Sequence, residues 1–132
     1  MRKKDIKTRE DIKFLVTHFY DKVRKDEVLK PFFQGIADWP AHIKKLITFW
    51  QSSIFLNAKY TGDPLSAHVK VDRNHEELLE QKHFGHWMNL WYETIDEHFN
   101  GEHANIAKNR ARKMSTFLYL KIFEARKNSN KI

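Results

Sequence analysis

The stretch Gly62-Asp63-Pro64-Leu65-Ser66-Ala67-His68-Val69 decides how the rest of this chain is read. It lies inside a connection, residues 57–75, that joins two long amphipathic segments. Four such segments with short loops would spell an up-down helical bundle. This connection is too long and irregular for a bundle loop, and long loops in compact domains tend to carry function. It also holds a histidine just past a Gly-Asp-Pro turn, and a neutral imidazole is a good metal ligand.

Upstream, Thr8-Arg9-Glu10-Asp11 predicts a helix start, a threonine cap with an acid three residues on. The stripe Ile12, Leu15, Val16, Phe19 and Val23 keeps to one helical face and ends at Arg24-Lys25-Asp26-Glu27. Leu29 to Gly35 reads as a short aromatic connector. Asp38 caps a second helix, tolerant of Pro40 in its first turn, that runs to about Leu56 with Ile43, Leu46, Ile47, Trp50 and Ile54 aligned. Downstream, a third helix is expected from about Glu76 to Phe99, carrying Phe84, Trp87, Met88, Trp91 and Ile95 on its stripe. Asn100-Gly101 breaks it, and a fourth spans Glu102 to Arg126 with Ala107, Ala111, Met114, Leu118 and Ile122. Nothing alternates with strand period, so the class is all-α. The expectation is one domain over residues 1–132, with 1–7 and 127–132 frayed.

Composition narrows the function classes. Hydrophobic residues make up 41% and aromatics 14%, enough for a packed core or the wall of a large flat ligand. The chain has no cysteine, which removes disulfides and thiolate metal sites. No run approaches the roughly 20 apolar residues that span a bilayer, so the expectation is a soluble, cytoplasmic protein with no membrane partner. The net charge of +7 is spread along the helices among 17 acids, which reads as a solvated surface rather than a nucleic-acid face. Two histidine motifs fall short of metal sites. His75-Glu76-Glu77-Leu78-Leu79 lacks the second histidine of a zinc-protease helix, and His83-Phe84-Gly85-His86 has no matching acid cluster.

Six blocks, taken in order, are more specific than any of these. They are Phe19-Tyr20-Asp21-Lys22-Val23; Pro31-Phe32-Phe33; Trp39 with His42 and Phe49-Trp50; Pro64-Leu65 with His68; His83-Phe84 with Trp87, Leu90-Trp91 and Glu93-Thr94; and Gly101-Glu102 with Ala104, Arg110-Ala111 and Met114. Over nearly its whole length the chain resembles the truncated haemoglobins, most of all group III, a likeness strengthened by its lack of paired glycines. The resemblance implies an abbreviated globin, a two-on-two helical sandwich. Val71-Asp72-Arg73-Asn74-His75 departs from it, standing where relatives often carry Leu-Pro.

The same resemblance implies a haem b cofactor held by His68 as proximal ligand, its second ring nitrogen fixed by a hydrogen bond. On the distal side Tyr20 would donate a hydrogen bond to bound dioxygen, Trp87 would offer a second donor, and His42 would gate entry. Phe33, Leu46, His83 and Phe84 would line the pocket, and Lys45 and Arg73 are candidates for the propionates, with Lys44 and Lys70 beside them. Without the family, each has a plainer reading: His68 a loop histidine, Tyr20 and Trp87 helix-stripe aromatics, His42 an exposed side chain. The implied ligands are dioxygen, NO, CO or peroxide. Strong distal donors favour redox chemistry, such as NO dioxygenation or peroxidase-like turnover with an unidentified reductase, over bulk oxygen transport. The competing expectations are a haem-free globin-fold module and a basic nucleic-acid binder.

Overall fold

A computed structural model describes residues 3–55 and 81–129. The 57–75 connection, with His68 and Arg73, lies outside the described residues. Within them the chain forms four helices: α1 Arg9–Lys25, α2 Trp39–Phe55, α3 Gln81–His98 and α4 Glu102–Ser129. A short 3-10 turn, Lys30–Phe33, links α1 to α2. One isolated bridge, Lys4 with Phe99, is the only extended pairing among the described residues.

The local signals in the sequence account for the helix boundaries. Thr8 and Asp11 form a full capping box at the start of α1, and basic Lys22, Arg24 and Lys25 complement the dipole at its end. Asp38 caps α2, accepting from the backbone N–H of Ala41 at 3.1 Å. Asp26 serves twice. It ends α1, and its carboxylate takes the N–H groups of Val28 and Leu29, which winds the chain into the 3-10 turn.

α1 packs on α2 and on α3, while α4 packs on α3 and on α2, so two helix pairs lie face to face. The two-on-two sandwich is therefore the architecture found. Its core is built from the stripes already noted: Ile12, Leu15, Val16, Phe19 and Val23 are sealed from solvent, as are Trp91 and Ile95 of α3 and Ala107 and Ala111 of α4. Trp91 stacks between Trp50, centroids 4.4 Å apart, and Trp87, 5.8 Å apart, and its indole N–H donates to the Ala107 carbonyl. Burying such a side chain contributes about 1.5–3 kcal/mol, and its satisfied N–H removes the penalty an indole would otherwise bring inside. Alanines on α4 let its backbone approach closely enough for that bond.

The expected fraying of residues 1–7 does not hold for the described part of that segment. Ile6 is fully buried, Lys4 pairs with Asp11 at 2.7 Å, and Lys4 also accepts from the Asn100 N–H. Asp5 reaches across to the start of α4 and accepts from the N–H groups of His103 and Ala104. It thus supplies the side-chain cap that Gly101, at the α3–α4 corner, cannot. Gly101 has φ +141, and a Cβ there would sit 2.5 Å from the Asp5 side chain. Glycine is required twice over, for the backbone conformation and for the space. At the other end α4 continues to Ser129, three residues past the break expected at Arg126.

Candidate functional site

Tyr20 follows Phe19 on α1 and so turns toward the gap between α2 and α3. Only 5% of it is exposed. Three rings from the 3-10 turn and the first turns of α2 surround it: Phe33 at 6.0 Å between centroids, Trp39 at 6.1 Å and His42 at 6.0 Å. Phe33 stacks against Trp39, and Trp39 meets His42 edge-on at 5.4 Å. The Arg24 guanidinium lies 4.4 Å over the Trp39 ring and fixes it from the solvent side.

From the facing pair, the Trp87 indole approaches the Tyr20 hydroxyl closely enough to act on it. An indole is a donor only, so it can engage only the phenol oxygen and leaves the phenol proton free to be donated onward. Burial pushes the Tyr20 hydroxyl well above its ordinary range, and the Trp87 indole offsets this only in part. The phenol is therefore neutral at any physiological pH, a donor whose O–H is polarised by the indole behind it. His42 is half-buried; burial first, and then the charge of Lys45, hold its imidazole below the ordinary histidine range. It too is neutral at pH 7.

The structure thus brings together Tyr20, His42, Phe33 and Trp87 of the residues expected at a site. Leu46 is half-buried and packs against the core on the same helix as His42, and Lys45 is exposed beside it. His83 is buried against Phe32, centroids 4.6 Å apart, and Phe84 meets Tyr119 of α4 edge-on at 5.9 Å. His86 pairs with the Asp26 carboxylate at 2.6 Å, tying α3 to the 3-10 turn. Two members were missed. The sequence alone places Trp39 only in a family block and Arg24 only among helix-ending charges, yet together they close the cluster on the α1–α2 side. The signal available was a large aromatic placed directly after a helix cap, where packing alone rarely asks for one. One detail also differs from expectation. The indole that the resemblance sends to the ligand meets the Tyr20 hydroxyl here.

No group of three histidine, aspartate or glutamate side chains gathers to hold a metal among the described residues. No described helix is long and apolar enough to cross a membrane.

No family model matches the chain. A curated group 3 truncated hemoglobin of Campylobacter jejuni is 31% identical over 112 residues, covering 81% of this chain and 84% of that protein. The crystal structure of a group III truncated hemoglobin from Campylobacter jejuni superposes with a TM-score of 0.79 at 28% identity, covering 92% of this chain and 95% of that one. The chain belongs to the group III truncated haemoglobins. That membership implies a haem cofactor and small-molecule ligands. A haem is a broad apolar plate that needs an apolar wall, and the described residues fit that requirement. Phe33, Leu46 and Trp87 are large, apolar and only half-buried, and Tyr20 is a desolvated donor among them.

Proposed function

We propose that this chain holds haem b through His68 and binds dioxygen, NO, CO or peroxide beside Tyr20. The observation that carries this reading is the desolvated Tyr20 phenol, kept neutral by burial and engaged by the Trp87 indole. A bound haem supplies an iron with an open position for a diatomic ligand. The chain's own residues do the rest. Tyr20 would donate a hydrogen bond to a ligand that acquires negative charge, and Trp87 would hold the phenol at one angle and strengthen that donation. Neutral His42, at the rim with Trp39, excludes bulk water and sets the width of the entrance. Phe33, Leu46, His83 and Phe84 form the apolar wall, while Lys45 and Arg73 supply cations for the propionates.

A hydrogen bond to a charged acceptor contributes about 1.5–3 kcal/mol, more than tenfold in affinity. Retention of that order suits turnover at the cofactor, NO dioxygenation or peroxide reduction fed by a reductase, better than delivery of oxygen. Stopped-flow dioxygen release from Tyr20→Phe tests this: release at least about tenfold faster than in the native protein is expected. An unchanged rate would remove Tyr20 from the ligand side.

A further inference from the structure

Where α1 passes the last turn of α3, on a surface away from Tyr20, two histidines stand together. His18 of α1 and His98 at the end of α3 have ring centroids 5.3 Å apart, inclined at 59°. The His18 Nδ1 lies 2.8 Å from the Phe14 carbonyl. A carbonyl only accepts, so Nδ1 carries the proton and Nε2 presents its lone pair outward. That arrangement, one ring nitrogen pinned to a backbone carbonyl and the other free, is the one metal-ligating histidines adopt.

Phe14 holds the pair in place. Its ring centroid is 4.0 Å from that of His18 and 4.8 Å edge-on from that of His98, which explains why a phenylalanine 42% exposed is placed there. A carboxylate completes the group: Glu97 Oε2 lies 3.7 Å from His98 Nε2, while Lys22 holds the other oxygen, Oε1, at 2.5 Å. Lys22, shared between Glu93 and Glu97, is the cation that holds this carboxylate in place.

We propose that His18 and His98, with Glu97 alongside, form a surface binding site for a zinc ion that ties α1 to the end of α3. Zinc accepts imidazole nitrogens at about 2 Å in tetrahedral geometry, and two imidazoles with a carboxylate are a borderline-soft set suited to it. Three ligating side chains do not converge among the described residues, so the two imidazoles carry the site, and Glu97, held by Lys22, contributes its negative charge beside it. The ion binds only the folded chain's juxtaposition of the two helices, so it stabilises the fold by mass action. The site makes no use of the haem reading.

The test uses tag-free, full-length protein titrated with zinc chloride by calorimetry at pH 7.5, with His18→Ala and His98→Ala beside it. His18 is exposed and His98 half-buried, and an unchanged far-UV circular dichroism spectrum checks that each variant is folded. The native protein is expected to take up one equivalent that both single variants lose, and to gain thermal stability with zinc. Equal uptake by all three proteins would overturn the proposal. So would loss in one variant alone, which marks a lone imidazole binding zinc without its partner.

Discussion

At the N-terminal clasp every carboxylate is answered by groups that are fixed in place. Asp5 takes the N–H groups of Ile6, His103 and Ala104, and Asp11 takes those of Lys7 and Thr8 together with the Lys4 ammonium. Burial would raise both carboxyls, but these donors hold them below the usual carboxylate range. Around Tyr20 the arrangement is the opposite. A phenol, an indole and an imidazole are buried or half-buried among aromatic rings, and burial drives the phenol up and the imidazole down, toward neutrality. The first region converts polar groups into fixed charge and so into stability. The second keeps polar groups neutral and one proton available, which is what a ligand pocket needs.

The contrast breaks most visibly at Gly101. Gly101→Ala forces a strained φ and drives a methyl into Asp5, so a loss of about 3 kcal/mol is expected in denaturant unfolding. The dioxygen release rate should stay native, because Tyr20 and Trp87 are untouched. Asp5→Ala comes next: it strips the cap from α4 and should cost about 2 kcal/mol. The pH dependence follows from the same carboxyls. Their folded pKa values lie below the unfolded ones, so the unfolded chain binds protons more readily. The stability they contribute is full above about pH 5 and lost as the pH falls through the carboxylate range. Unfolding midpoints compared at pH 3.5 and pH 7 should therefore differ less in Asp5→Ala than in the native protein.

On the other side of the comparison, Tyr20→Phe should alter ligand release by about tenfold with a smaller effect on stability. Trp87→Phe sharpens the point. If the indole acts through the phenol, it should speed release by less than Tyr20→Phe does, and add little once Tyr20 is already Phe. Additive effects in that double-mutant cycle would show two independent donors instead. The smallest effect belongs to Lys45→Gln. Burial is the larger cause holding the His42 imidazole down, so removing that charge should bring it only part of the way back toward its ordinary value, read as a proton-NMR titration.

Local chemistry explains which of these features were legible in the chain beforehand. The Thr8–Asp11 box, the Asp38 cap and the four apolar stripes are short-range patterns, and the structure realises them where they were read. Asp5 was not legible as a cap, because its partners His103 and Ala104 lie at the far end of the sequence and nothing within either stretch names the other. Gly101 was read as a helix break, which is right, but the close approach of Asp5 that forbids a side chain there is a tertiary fact. At the candidate site, periodicity placed Tyr20 and Trp87 on their helices but not against each other. The contact between them depends on how α1 packs on α3. Trp39 and Arg24 escaped notice for the same reason, since a cation over an indole ring is made by the turn between two helices.

Absorption spectra of the ferric, ferrous and CO-bound full-length protein, taken beside His68→Ala, test the account at its centre. The expected result is stoichiometric haemin uptake with a sharp Soret band in the native protein, and a shifted or lost band in the variant. A native protein that takes up no haemin, or a His68→Ala protein with identical spectra in all three states, would contradict it.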